Sequence, residues 1–277
     1  MILLMPGCQS GKKAEKAGLF DRENLVAWCI VPFDARDRTP QERAAMLEDL
    51  GIPRLAYDYR ERHLASFEQE IRILEERQIG LHAVWFWVEP EGERILNETN
   101  ETVLEILEKT GTETELWVSF PEHVFDGPDG ENMQKAIHLV AEVLRRTEEI
   151  GCTMALYNHG GWFGEPANQV WIIETIGSEK IRMVYNFHHG HSHMDRFGEL
   201  FPLMLPHLST VNINGMSAGG PKIIPLGEGE REAEMLKVIH ESGYRGPIGI
   251  LGHTEGKDIR GVLEENLEGL EKLKRSL

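Results

Sequence analysis

The sequence predicts a single-domain α/β fold, a (β/α)8 barrel, over residues 24–277. Three observations carry this expectation. From Asn24 onward, short β-branched or aromatic runs alternate with longer amphipathic stretches rich in Glu, Leu, Ile and Lys. Most of the short runs are near-continuously apolar, as parallel strands covered on both faces must be. Eight such units over about 250 residues suit this barrel. A doubly wound open sheet would instead carry a glycine-rich phosphate turn after its first strand, and "VPFDARDRTP" is no such turn.

The elements follow in order. The first strand is read at 25–33, then a helix at 39–50 capped by Thr39 and opened by Pro40. A strand at 53–59 precedes a helix at 66–78 opened by Ser66, and a strand at 81–89 precedes a helix at 97–110. Strands at 115–120 and 153–159 lead into helices at 131–150 and 166–176. The last three units pair strands at 181–187, 208–215 and 246–253 with helices at 194–205, 230–242 and 258–275. Glycines 51, 80, 111, 151, 177 and 243 are placed as helix terminators.

Composition narrows the partner. The formal net charge is −17, from 46 acidic against 29 basic residues, with no basic run interleaved with aromatics that would follow a phosphate backbone. This excludes nucleic acid as the expected substrate and points to a small neutral molecule. The three cysteines are far apart and lack C-x-x-C spacing, so neither a disulfide framework nor a structural zinc site is expected. Cys29 and Cys152 read as core.

Cys8 differs, because "MILLMPGCQSGKKAEKAG" sets a small residue and a cysteine behind an apolar stretch and continues as a polar tether. Residues 1–23 are therefore compared with the end of a bacterial lipoprotein signal plus a flexible linker. Acylated Cys8 would be the only membrane attachment and would place the protein in the periplasm or on a membrane; an ordinary N-terminus would leave it cytoplasmic. The apolar part, Ile2 to Met5, is shorter than the ~7 to 15 residues of such signals.

In a barrel of this kind, chemistry sits at the C-terminal ends of the strands. Of twelve histidines, seven fall at the ends of strands four, five, six and eight. In "LYNHGGW", His159 is followed by two glycines that permit close approach, and Trp162 offers a ring face on which a sugar could stack. "VYNFHHGHSH" places His188 and His191 around a glycine, so that both imidazoles are expected in one cavity as metal ligands or as acid and base. His193 is read as a cap or surface residue. Asn212 and Asn214 share a strand face and are expected either to donate to substrate oxygens or to satisfy polar groups inside the barrel. His253 ends the last strand beside the first. Tyr157, Asn158, Asn186, Lys222, Trp85 and Trp87 complete the expected binding residues.

Taken together, "LYNHGG", "NFHHGH", "PLGEGE" and "SGYRGPIGILGH" resemble the xylose isomerase-like TIM barrels, the sugar phosphate isomerase/epimerase superfamily that also includes endonuclease IV. The resemblance covers roughly residues 24 to 277. It implies a divalent metal held by Glu, Asp, His and Glu at the ends of strands five to eight. This sequence carries Tyr157, His188, Asn212 and Leu251 or Gly252 at those places. Only His191 and His159 match the family pattern. Hard ions such as magnesium or manganese then lose their oxygen ligands. The expectation is no metal, or an atypical one such as zinc on a subset of His159, His188, His191 and His253.

The particular variant resembles a subgroup that accompanies 3-keto-glycoside degradation. It implies a carbohydrate-active isomerase, epimerase or lyase-like enzyme that enolises a keto-sugar with His159, His188, His191 and His253. The alternative is a sugar-binding descendant without catalysis.

Overall fold

In a computed structural model that describes residues 18–277, eight strands close into one parallel barrel in sequence order. They are β1 Leu25–Trp28, β2 Arg54–Tyr57, β3 Gly80–Trp87, β4 Glu115–Ser119, β5 Thr153–Tyr157, β6 Ile181–Asn186, β7 Leu208–Ile213 and β8 Ile248–Leu251. β1 pairs with β8 from Leu25 against Ile248 to Trp28 against Leu251, which leaves the sheet no free edge. Around it lie α1 Pro40–Leu50, α2 Glu61–Glu76, α3 Glu98–Thr110, α4 Asp129–Glu149, the short α5 Gly161–Gly164, α6 Pro166–Ile176, α7 Phe197–Met204, α8 Glu232–Glu241 and α9 Ile259–Lys274. The predicted units all form. The Cys8 motif lies outside the described residues.

Alternation along each strand divides the core in two. Leu25 and Ala27 face the helices, whereas Val26 and Trp28 face the barrel axis. Small residues on three strands, Ala56, Ala83 and Ala155, make room inside for Trp28, Trp117 and Tyr157. The Trp28 and Trp117 rings meet edge to face at 4.8 Å, and Tyr157 lies 5.6 Å from Trp28. These three aromatics fill the barrel and form a rigid floor beneath its C-terminal mouth.

Element ends differ from expectation for local reasons. β1 stops at Trp28 because Cys29 takes a left-handed φ of +55°, unusual for a residue with a Cβ, and turns the chain. α2 begins at Glu61, where the Arg60 amide donates to His63 Nδ1 at 2.9 Å; Ser66 lies inside the helix. Gly80 is the first residue of β3, and the left-handed turn before it is made by Gln78 at φ +57°. The 194–205 helix is replaced by a 3-10 turn, His191–Arg196, followed by α7.

Candidate active site

A small cleft opens at the C-terminal mouth of the barrel. Its floor is Trp28 and Tyr157. Its walls are Cys29 and Phe33 after β1, Asp58 and Arg60 after β2, Trp85 on β3, His159 after β5, His188 and His189 after β6, and His253 after β8. Three of the four histidines expected to act, His159, His188 and His253, thus converge as the barrel topology requires.

The histidine pair is not the expected one. His188 and His189 are adjacent, with ring centroids 3.6 Å apart, and His189 lies 4.5 Å from His159. His191 does not line the cleft: its Nε2 lies 2.8 Å from the Ser217 carbonyl oxygen. The reason lies at Gly190, where an added Cβ would fall 2.1 Å from the Tyr185 hydroxyl. The chain is pressed against that buried ring and enters the 3-10 turn, which carries His191 away toward the loop after β7. His193 is buried, not exposed, with Nε2 beside Glu165.

Several expected binding residues hold the scaffold. Asn158 accepts from the Asn186 amide at 2.8 Å and donates to the Asn186 carbonyl at 3.1 Å, clamping β5 to β6 beyond the ladder. Asn186 donates to the Tyr157 hydroxyl, which also accepts from Trp28 Nε1 at 3.2 Å. Its own oxygen lies 3.2 Å from His188 Nδ1 and orients that imidazole. Asn214 donates to the Gly215 and Lys222 carbonyls and shapes the β7 loop. Asn212 points into the barrel over Gly249, where a Cβ would lie 1.8 Å from its oxygen, and does not line the cleft.

Trp162 donates to Asp129 and packs on Phe125, away from the cleft. Trp87 does not line the cleft; it packs on His159 at 5.0 Å and on Trp85 at 5.6 Å. Lys222 is exposed and acts on His188 and His189 only through its charge. The glycines of "NHGG" are required, because Gly161 has a φ of +59° and its Cβ would meet the Glu122 side chain at 2.8 Å.

Electrostatics sets the protonation of the site. Burial, then repulsion from His253 and His159, pushes His188 down to about 3. His189 is pushed lower still, first by burial and next by His188. Burial also lowers His159 and His253. Asp58 moves the other way, up to about 6, because burial disfavours its charge more than the Val31 amide and Arg60 favour it. At neutral pH the cleft therefore holds uncharged imidazoles opposite one ionised carboxylate. The Cys29 thiol is held neutral, first by burial and then by the Asp58 charge.

Asp58, Arg60 and His189 line the cleft although none of them is among the site residues expected from the sequence, and Cys29, read as core, lines it too. The overlooked signal was position: Asp58 directly follows β2, on the same mouth as the histidines.

The profile of one family, described as the xylose isomerase-like TIM barrel, matches residues 19–273. The chain belongs to that family. The 3-keto-D-glucoside 4-epimerase of E. coli superposes with a TM-score of 0.69 at 13% identity, covering 91% of this chain and 99% of the epimerase. L-ribulose 3-epimerase gives 0.66 at 15% identity, with 91% and 96% covered. A zinc-bound structure of the IOLI protein gives 0.67 at 12% identity, with the same two coverages. No curated protein matches the chain in sequence.

The family implies a divalent metal, and the residues here do not fit one. The Tyr157 hydroxyl is taken by Trp28 and Asn186, Asn212 is outside the cleft, and Leu251 has no donor atom. Among the described residues no three His, Cys, Asp or Glu side chains are placed to hold an ion. Of the histidines expected to hold an atypical ion, His159, His188 and His253 line the cleft and His191 lies elsewhere.

Proposed function

We propose that this protein is a sugar-modifying enzyme of the isomerase/epimerase type that enolises a keto-sugar bound in the cleft. The observation that carries this reading is the convergence of His159, His188, His189 and His253 on one cleft at the barrel mouth. Neutral imidazoles have an N–H to donate and little tendency to accept a proton. They suit an oxygen that gains negative charge as the neighbouring C–H bond breaks. Trp85 lines the cleft beside these histidines and offers apolar ring surface to a sugar. A 3-keto-glycoside fits because its ketone acidifies the adjacent C–H. The similarity to a 3-keto-D-glucoside 4-epimerase supports this substrate class.

The test is to incubate the protein with a 3-keto-glucoside in D2O and follow the proton beside the ketone by NMR. We expect its signal to decay, and His188→Ala to slow that decay on the order of 100-fold, as for loss of one oxyanion donor. A bound keto-sugar that never exchanges would replace this reading with that of a sugar-binding descendant.

A further inference from the structure

We propose that Asp58 is the base that removes the proton beside the ketone, while the cleft histidines donate to the oxygen; this assignment rests on the enolisation reading above. Asp58 is 1% exposed, yet it is among the residues lining the cleft. Its Oδ1 accepts from the Val31 amide at 3.3 Å; its Oδ2, fully buried, has no nitrogen or oxygen donor, and the Cys29 thiol is the hydrogen-bonding group beside the carboxylate. A buried carboxylate oxygen left without a donor costs free energy, and such groups persist where chemistry uses them.

No charged group pairs with that oxygen among the described residues. Arg43 of α1 acts on Asp58 only through its charge, since it is engaged with Glu70 at 3.0 Å. The Arg60 guanidinium lies over the rings of Phe33 and Trp85, at 5.5 and 5.6 Å, and makes no ion pair with Asp58 among the described residues. Cys29, Tyr57 and Tyr157 adjoin Asp58 in neutral form, and the neutral His159, His188, His189 and His253 line the same cleft. Asp58 is the only carboxylate among the residues that line the cleft. His188, at about 3, is a far weaker base than Asp58 at about 6.

The step balances without a co-reactant. The carboxylate takes the proton from the carbon beside the ketone, and the C–H electron pair becomes the new C=C bond. The carbonyl π pair moves to oxygen, whose charge the imidazole N–H groups hold. Return of a proton to carbon reverses these movements, and nothing is oxidised or reduced.

The experiment measures D2O exchange of a 3-keto-glucoside by wild type, Asp58→Asn, Asp58→Glu and Asp58→Gly. We expect Asp58→Asn to lose at least about 100-fold in rate while still binding the sugar, and Asp58→Glu to retain part of the rate. Formate should restore exchange to Asp58→Gly. The wild-type rate, which needs no variant, should rise with pH through about 6. If wild type exchanges and folded Asp58→Asn does so within twofold with the same pH profile, Asp58 is not the base, although enolisation stands. A flat wild-type pH profile also overturns the assignment. If wild type itself does not exchange, the enolisation reading fails and takes this assignment with it.

Discussion

Keeping an ionised carboxylate at position 58 costs the fold stability. Unfolded, Asp58 would titrate near its ordinary 3.8; folded, it is pushed up to about 6. The native state therefore holds the proton more tightly. The resulting stabilisation is complete below 3.8 and is lost as pH rises through 6, which amounts to roughly 3 kcal/mol by pH 8. Asp58→Asn keeps an oxygen for the Val31 amide and removes the charge. We expect urea unfolding at pH 8 to show the variant more stable than wild type by up to about 3 kcal/mol, less the cost of burying its NH2 group. The gap should close near pH 4. An equal gap at both pH values would show that the buried charge is not the cause. A variant that is inactive yet more stable is what a strained catalytic residue predicts.

Between elements, α1 and α2 are joined by Arg43 and Glu70, whose side chains are 5% and 0% exposed. The guanidinium donates twice, Nε to Oε1 at 3.1 Å and Nη2 to Oε2 at 3.0 Å. Removing one partner leaves the other charged and buried, so Glu70→Ala should cost about 3–5 kcal/mol. The double variant Arg43→Met, Glu70→Leu should recover most of that, and chemical denaturation of the two distinguishes a desolvation cost from simple loss of packing.

This pair was invisible in the sequence, whereas the eight strand–helix units were not, because apolar runs and caps are local and repeat. The candidate site was legible for the same reason at His159, His188, His253 and Trp85, all placed by strand ends. What sequence could not supply was the direction of side chains just past those ends. Cys29's left-handed turn and the Gly190–Tyr185 contact decide it, bringing His189 in and sending His191 out.

Across the whole molecule, buried neutral histidines make the fold sensitive to mild acid. Burial pushes His82 and His188 down to about 4 and 3, and lowers His189 further. His82, half-buried on β3, lies 2.8 Å from the Thr210 hydroxyl on β7 and outside the cleft, so the effect is not confined to the cleft. In the unfolded chain each would take up a proton near 6.5. As pH falls through 6.5 the unfolded state gains protons that the native state refuses, and stability falls by about 1.4 kcal/mol per pH unit for each group. Asp58, pushed up to about 6, and Glu115 and Glu232, also raised by burial, oppose this as they protonate. Domains are stable by only about 5–15 kcal/mol, so a loss of several kcal/mol by pH 5 is a large share. Urea titrations at pH 7.5, 6 and 5 should show the midpoint falling already between the first two, above the range where ordinary carboxylates titrate. His82→Gln should make that decline shallower. A midpoint that holds to pH 5 would mean that these imidazoles are hydrated enough to charge within the native barrel.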